Sequence, residues 1–330
     1  MAVTLLLKEN GFPMRRKRWT RRVLLVFSLM FIFMNVVAYI HAWKFTHFSS
    51  GGAKTKNPHQ LSASEKLSAL LFGINNPRPE NQFKPSGNYT TIGLQSNKRI
   101  EGWLIPCDSA RGTILIFHGY SGNKSSMLDK AVIFKDLGYE TLLIDFMGSG
   151  GSEGNQTTIG FFESQEVCAA FRYSKQRSSK PVVLFGTSMG AAAIMKAVAD
   201  SSLAADALIL ECPFGTMQET VEARFRSMHA PVFPMARLLV FWGGVQNGFN
   251  AFAHNPASYA SKVNIPTLLM YGEKDRSVSR SETDRIFTAL GGAKKLVLYP
   301  EAGHENYLNK YKALWTSQIE DFLDSLPSAN

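Results

Sequence analysis

The chain has 330 residues, of which 45% are hydrophobic and 19% are charged, and this composition excludes a disordered or low-complexity protein. Its formal net charge of +10 comes almost entirely from residues 1–60, which hold ten of the 36 basic residues and one of the 26 acidic residues. The rest of the chain is close to neutral, which argues against a basic surface for nucleic acid.

Residues 23–40 form an apolar run without a charged residue. As a helix it would be about 27 Å long, close to the ~30 Å hydrocarbon core of a bilayer. Six basic residues lie just before it, within residues 15–22. The positive-inside rule then predicts that residues 1–22 are a cytoplasmic tail and that the main domain lies on the non-cytoplasmic side, periplasmic or extracytoplasmic in a bacterium.

A cleaved signal peptide is the alternative to this anchor. The apolar region of a signal peptide usually has about 7–15 residues and precedes a small-x-small cleavage site, whereas this run is longer and no Ala-x-Ala follows it. We therefore expect residues 23–40 to be a single-pass transmembrane helix. Residues 41–85 are polar and Gly-, Ser-, Asn- and Pro-rich, which predicts a flexible tether with one short helix near residues 61–72.

From residue 86 to the end, short apolar runs alternate with helical patterns. The predicted strands are residues 89–95, 99–105, 113–117, 141–145, 182–185, 207–211, 267–271 and 295–299. The predicted helices are residues 125–137, 161–175, 189–199, 281–290 and 307–326. Continuously apolar central strands indicate a mostly parallel α/β sheet with helices on both faces, and residues 213–262, rich in Phe and Met, predict a helical cap insertion.

One motif indicates a catalytic serine. Gly186, Ser188 and Gly190 form a G-x-S-x-G sequence after an apolar strand and before an Ala-rich helix. In that setting the serine lies on a strained turn, and the flanking glycines allow close backbone approach. The alternative is a close-packed turn whose serine is incidental. We expect Ser188 to be a nucleophile.

A serine nucleophile needs a base, and the base needs an acid. Of the seven histidines, His304 both follows a predicted strand at its carboxyl end and lies near the C-terminus; His118 also ends a strand but lies earlier. Asp275 follows the strand before it and gives the chain order Ser, Asp, His. Glu273 and Glu211 are rival acids, because each lies at or just past the carboxyl end of a strand.

Acyl transfer also needs donors for the developing oxyanion. The backbone N–H groups of Met189, directly after the serine, and of Tyr120, in the loop after the third strand, are the predicted donors. No nucleotide or zinc motif occurs in the sequence, so no cofactor and no metal is expected. The neighbours of Cys107, Cys168 and Cys212 suggest buried thiols rather than disulfides.

These motifs together resemble the α/β-hydrolase superfamily. The resemblance runs through HGYSGN, LLIDFMGSGGSEG, LFGTSMGA, YGEKDRSV and EAGHEN, with Met147 where the family usually has arginine, and it is nearest to the branch of monoacylglycerol lipases and S33-type aminopeptidases. It implies an eight-stranded sheet, a Ser–His–Asp triad of Ser188, His304 and Asp275, an acyl-enzyme intermediate and no cofactor.

The function expected from the sequence is a membrane-anchored serine hydrolase of carboxylic esters, with lipid or lysolipid esters among the substrates. The apolar insertion and the adjacent bilayer favour a lipid substrate. A peptidase, aminopeptidase or thioesterase could use the same three residues, and a non-catalytic tethered binding domain is the remaining alternative. The expected partners are a small-molecule or lipid ester and the membrane.

Overall fold

The computed structural model describes residues 14–56 and 60–326, so residues 1–13 of the predicted cytoplasmic tail lie outside the described part. Eight strands form one sheet in the order β1-β2-β4-β3-β5-β6-β7-β8. The strands are β1 (Thr90–Gln95), β2 (Arg99–Ile105), β3 (Thr113–Phe117), β4 (Glu140–Asp145), β5 (Val182–Thr187), β6 (Ala207–Glu211), β7 (Thr267–Gly272) and β8 (Lys294–Tyr299). Strand β2 is antiparallel to both neighbours, and all pairings from β4 to β8 are parallel.

Ten α-helices accompany the sheet in the described residues. They are α1 (Met14–Thr46), α2 (Ala63–Phe72), α3 (Leu128–Asp136), α4 (Glu163–Arg177), α5 (Met189–Ser201), α6 (Met217–Ser227), α7 (Met235–Asn247), α8 (Pro256–Ala260), α9 (Arg280–Ala289) and α10 (Tyr307–Asp324). One short 3₁₀ turn precedes α3 and another precedes α8. Strands β3 to β7 are buried except at Glu140 and Thr187 because α4, α5 and α9 pack on one face and α3 and α10 on the other. The predicted mostly parallel eight-stranded α/β fold is confirmed.

Helix α1 is longer than the apolar run that predicts it. It begins at Met14 and ends at Thr46, and its segment Arg18–Thr46 is long and apolar enough to cross a membrane by length and composition. The helix continues past residue 40 because nothing in the sequence breaks it there: Trp43, Lys44 and Phe45 are compatible with a helix, and Gly51 is the first glycine to follow.

The segment after α1 differs from the flexible tether that its composition predicts. Phe48 is buried, and its backbone N–H bonds to the carbonyl of Asn155 at 2.7 Å. Lys54 donates to the Ser121 hydroxyl at 2.8 Å, and further along Arg78 donates to the carbonyl of Gly150 at 3.0 Å. Residues 47–56 and 74–82 therefore pack on the α/β domain.

Helix α1 also contacts the insertion, which contains α6, α7 and α8. The indole N–H of Trp242 on α7 donates to the Asn35 side-chain oxygen at 3.1 Å, and Gln246 donates to the Tyr39 carbonyl at 2.8 Å. The rings of Tyr39 and Trp242 meet edge to face at 5.3 Å. Helix α1 and the α/β domain, which were expected to be separate, share an interface.

Candidate active site

The serine turn has the strained backbone that the motif predicts. Strand β5 ends at Thr187, α5 begins at Met189, and Ser188 between them has φ of 52° and ψ of −108°. A Cβ at Gly190 would lie 2.5 Å from the Phe117 carbonyl oxygen, so only glycine fits beside β3. The N–H of Ser188 bonds to the Glu211 carbonyl at 2.7 Å, which ties the turn to β6.

The structure brings Ser188, His304 and Asp275 together at the carboxyl end of the sheet. The His304 Nε2 atom lies 3.0 Å from the Ser188 hydroxyl, and Nδ1 lies 2.7 Å from Oδ2 of Asp275. The Asp275 side chain is fully buried and the His304 side chain is 30% exposed. Because a carboxylate can only accept, Nδ1 carries the proton and Nε2 is free to accept the hydroxyl proton of the serine.

Two backbone hydrogen bonds to the second carboxylate oxygen of Asp275 hold its side chain in place. Its Oδ1 atom accepts the backbone N–H groups of Ser277 at 2.7 Å and Val278 at 2.9 Å. These bonds fix the carboxylate with Oδ2 directed at the imidazole.

The alternative acids, Glu273 and Glu211, and the other strand-end histidine, His118, have partners elsewhere. Glu273 is exposed and lies 3.5 Å from Arg280. Glu211 is fully buried and accepts from the Trp315 indole at 2.7 Å and the Thr187 hydroxyl at 2.9 Å. The ring of His118 is buried and accepts the backbone N–H of residue 146 at 3.1 Å, and burial lowers its pKa.

The two predicted oxyanion donors belong to residues near the serine. Met189 is the first residue of α5, so its N–H has no partner within the helix, and in the part of the chain that the structure describes the Tyr120 N–H has no acceptor either. A Cβ at Gly119, just before Tyr120, would lie 3.6 Å from Cβ of Ser188. Met189 directly follows the serine in the chain, and the residue before Tyr120 approaches it in space.

Cys212 is a neighbour that the sequence analysis did not assign to the site. It follows β6, is 1% exposed, has φ of 39°, and its sulfur lies within 4.8 Å of ligand atoms of Asp275 and His304. Its position at the carboxyl end of a central strand was the sequence feature that could have placed Cys212 at the site. Of the other two cysteines, Cys168 is buried as predicted, whereas Cys107 is partly exposed.

The pKa of His304 reflects this environment. Burial alone would lower the pKa, but the Cys212 sulfur and the hydrogen bond to Asp275 raise it well above 6.5. These three side chains could in principle hold a metal ion. However, the 2.7 Å contact between Nδ1 and Oδ2 is shorter than the ~3.3 Å that separates two ligands on tetrahedral zinc with ~2.0 Å bonds, so the geometry is that of a hydrogen bond.

Ser188 and His304 line a cavity of about 1130 Å³. Its walls come from four parts of the chain: the carboxyl end of the sheet, the insertion through α6 and α7, helix α1 through Met34, His41 and Phe45, and the segment after α1 through residues such as Lys54 and Leu70. Most of the lining side chains are apolar. A cavity of this size can hold a drug-sized or larger ligand.

Comparisons with known proteins agree with this architecture. The family model described as serine aminopeptidase, S33, matches residues 108–259. The uncharacterized protein YqkD of Bacillus subtilis (strain 168) is 27% identical over 231 residues, which are 69% of this chain and 76% of that protein. The lysophosphatidylserine lipase ABHD12 of Danio rerio is 25% identical over 200 residues, 57% of this chain and 50% of that protein.

Among solved structures, the Pyrococcus furiosus esterase Pf2001 superposes with a TM-score of 0.64 at 19% identity. The superposition covers 76% of this chain and 97% of the esterase. At that level of identity the likeness is one of fold.

Proposed function

Because this chain is an α/β-hydrolase, we propose that it is a membrane-anchored serine hydrolase that cleaves carboxylic esters of lipids or lysolipids. Ser188 is the nucleophile, His304 the general base and acid, and Asp275 the group that orients and stabilises the imidazole. The observation that carries the proposal is the continuous hydrogen-bond path from Asp275 through His304 to Ser188, at 2.7 Å and 3.0 Å, on the wall of an apolar cavity.

In the first half-reaction the Ser188 oxygen attacks the ester carbonyl while His304 Nε2 takes the hydroxyl proton. The carbonyl oxygen becomes an oxyanion, to which the N–H groups of Tyr120 and Met189 donate. The tetrahedral intermediate then collapses. His304 gives its proton to the leaving alcohol, and the acyl group remains on the serine.

In the second half-reaction water attacks the acyl-enzyme, and His304 takes a proton from it. The same two N–H groups stabilise the second tetrahedral intermediate. Collapse releases the carboxylic acid and returns the proton to the serine oxygen. Asp275 stays ionised and holds the imidazole in the tautomer with the proton on Nδ1 in the resting enzyme.

Support for a lipid substrate comes from the position of α1. Met34 and Thr46 both line the cavity, and the helix between them covers about 18 Å at 1.5 Å per residue. The cavity wall therefore runs along the proposed membrane helix. Apolar side chains of the insertion beside it are exposed, namely Phe233, Phe241, Val245 and Phe252, and exposed apolar patches of this kind indicate a membrane or partner surface.

The proposed anchor is the segment Arg18–Thr46 of α1, which includes the predicted span 23–40. The orientation with the N-terminus in the cytoplasm rests on the basic residues before it. Protease protection in spheroplasts or sealed vesicles tests it: the catalytic domain is expected to be digested only from the non-cytoplasmic side. Digestion only from the cytoplasmic side would reverse the orientation.

A peptidase with the same triad is less compatible with the cavity. An aminopeptidase of this kind needs acidic groups to bind the amino terminus of its substrate. The carboxylates of the insertion are engaged elsewhere, Glu219 with Arg285 at 2.6 Å and Glu222 with Arg226 at 3.2 Å. Of the side chains that line the cavity in the described residues, one is a carboxylate, Glu305.

The proposal is tested by hydrolysis of p-nitrophenyl esters from C2 to C16 with the full chain in nonionic detergent. Ser188→Ala is expected to abolish turnover without loss of folding, and the wild-type protein is expected to prefer medium or long acyl chains. Serine-independent activity would contradict the mechanism. Activity confined to C2–C4 would contradict the lipid substrate but leave the mechanism intact.

A second variant tests whether α1 forms the acyl wall. Met34→Trp is expected to lower kcat/KM for the C16 ester by about tenfold or more, the magnitude typical of a misfitting apolar group, and to change the C4 ester less than about threefold. Leu29→Trp is the matched control, because Leu29 lies on the same helix, is 57% exposed and lies outside the cavity lining. An equal loss in both variants would contradict the assigned wall.

A further inference from the structure

The cavity has an unusual balance of charge for an apolar site. Among the described residues one carboxylate, that of Glu305, lines it, against six basic side chains: Lys54, Lys56, Lys130, Arg224, Lys274 and Arg276. Two of the six have acidic partners, since Lys130 lies 3.9 Å from Glu211 and Lys274 is paired with Glu301. The other four have no acidic partner among the residues that the structure describes.

Arg224 on α6 is the most enclosed of these four. Its guanidinium lies 4.3 Å from the centre of the Phe45 ring and 5.2 Å from the centre of the Tyr120 ring. In the described part of the chain its side-chain nitrogens make no hydrogen bond or ion pair, and they are not shut off from the cavity. The guanidinium is held by aromatic faces and has all five N–H donors available to an acceptor in the cavity.

Lys54 lies on the same side of the cavity. Its ammonium donates to the hydroxyl of Ser121, the residue after Tyr120, at 2.8 Å. Arg224 stacks on the ring of Tyr120, the residue before Ser121, so the two cations contact neighbouring residues. Burial and the positive charge of Arg224 both lower the pKa of Lys54. An anion bound between the two cations would relieve their repulsion.

We propose that Arg224 and Lys54 bind an anionic group, phosphate or carboxylate, on the ester that Ser188 cleaves. This inference rests on the proposed function and narrows its substrate class to anionic acyl esters. Arginine suits the role because its planar fork matches phosphate and carboxylate oxygens and stacks on aromatic rings.

The arrangement places the charge where an amphiphilic ester would carry it. Phe45 and Tyr120 flank the guanidinium, and Tyr120 belongs to the loop beside Ser188. Phe45 lies one residue from the end of α1, whereas Met34 lies ~17 Å away along the same helix. An acyl chain along α1 and an anionic group at Arg224 would therefore leave the ester bond near the serine.

The test uses the full chain in nonionic micelles and two esters with the same acyl chain, a lysophosphatidic acid and a neutral monoacylglycerol, at equal mole fraction. Fatty acid release gives kcat/KM for each. Arg224→Met, which keeps the apolar stem, is expected to lower kcat/KM for the anionic ester about tenfold to a hundredfold, the range for hydrogen bonds to charged groups. The neutral ester is expected to change less than about threefold, and Arg224→Lys to recover part of the loss.

Arg226→Gln is the matched control. Arg226 lies two residues away on α6, is exposed and paired with Glu222, and is not part of the cavity lining, so it reports any general effect of surface charge on micelle binding. An equal loss on both esters with Arg224→Met, or the same selectivity change with Arg226→Gln, would overturn the proposal.

Two further outcomes separate the possible failures. Neutral-ester hydrolysis that survives Ser188→Ala would refute the proposed function itself, whereas serine-dependent hydrolysis without preference for the anionic ester would refute only the anion site. Inorganic phosphate is added to the neutral-ester assay as a last arm. Inhibition by phosphate that Arg224→Met abolishes, with no preference for the anionic ester, would mean that the site binds a free anion and not the substrate.

Discussion

Asp275→Asn is the substitution whose effect on the proposed mechanism can be worked out in most detail. In the wild-type protein Oδ1 accepts the N–H groups of Ser277 and Val278 and Oδ2 accepts from His304. An asparagine must keep its single oxygen toward the two backbone donors, because an amide NH₂ there would oppose two N–H groups. The NH₂ therefore faces His304 Nδ1.

That orientation reverses the tautomer of the imidazole. Nδ1 must accept from the amide, so the proton moves to Nε2, which then cannot accept the proton of Ser188. We expect kcat to fall by about 10⁴-fold, equivalent to about 5.4 kcal/mol of transition-state stabilisation at 1.36 kcal/mol per factor of ten. Folding is expected to be preserved, because the two side chains have the same shape and both N–H donors keep an acceptor.

The assay is hydrolysis of a p-nitrophenyl ester by the full chain in detergent, with thermal unfolding measured in parallel. Glu273→Gln and Glu211→Gln are the matched controls. We expect Glu273→Gln to change kcat less than about twofold, because its carboxylate is exposed and faces Arg280. Retention of more than a tenth of the wild-type kcat in Asp275→Asn, or a larger loss in Glu211→Gln, would show that the acid is misassigned.

Two other predictions follow from the same site. Neutral His304 is the active base and its pKa is raised above 6.5, so kcat/KM for a neutral ester should fall tenfold per pH unit below that raised pKa. The midpoint of this pH profile should move to lower pH in Asp275→Asn. A pH profile of kcat/KM with no titration above 6.5 would refute this prediction. Gly190→Ala should destabilise the fold by more than ~3 kcal/mol, because the new Cβ would lie 2.5 Å from backbone oxygen and overpacking against backbone cannot relax. Gly243→Ala is the control, because Gly243 lies on α7 and no atom lies within 4 Å of the new Cβ. It should leave the free energy of unfolding unchanged or raise it by up to ~1 kcal/mol. Chemical unfolding in detergent measures both variants, and equal free energies of unfolding would contradict the packing argument.

The sheet and the three residues brought together at its edge could be predicted from the sequence for a local reason. Parallel strands buried on both faces are continuously apolar, and this pattern is visible in a single sequence. Ser188 and Asp275 each follow such a strand, β5 and β7, whereas His304 follows the parallel edge strand β8, which is only partly buried. The carboxyl ends of parallel strands meet at one edge. Their proximity therefore needs no knowledge of how the helices pack.

The position of the segment before the domain could not be predicted in this way. Residues 47–56 have the polar, Gly-rich composition of a linker, and the bonds that hold them are mostly from backbone groups, such as that of Phe48 to Asn155. Backbone hydrogen bonds leave almost no trace in residue composition. Phe48 itself, an aromatic residue within a polar segment, was the one available signal of burial.

The contact between α1 and α7 was hidden for a different physical reason. In a helix that is apolar all round, residues that face lipid and residues that face protein have the same character, so no periodicity indicates the buried side. Asn35 is the one amide in the run, and its partner, Trp242, lies 207 positions away in the chain. The sequence could show that an amide is present in the apolar run but not what it bonds.

Asn35 connects the proposed anchor to the proposed substrate site. Within a bilayer an amide without partners is costly, and here its oxygen accepts from Trp242 while its NH₂ donates to the Phe31 carbonyl at 2.9 Å. This bond fixes the rotation of α1 about its own axis. At 3.6 residues per turn, Met34 and Phe45 are separated by three turns and by only ~20° around the helix axis, so they share one face of α1. The rotation of α1 that satisfies Asn35 turns that face toward the cavity. In the proposed enzyme the membrane helix is thus a wall of the substrate site as well as an anchor.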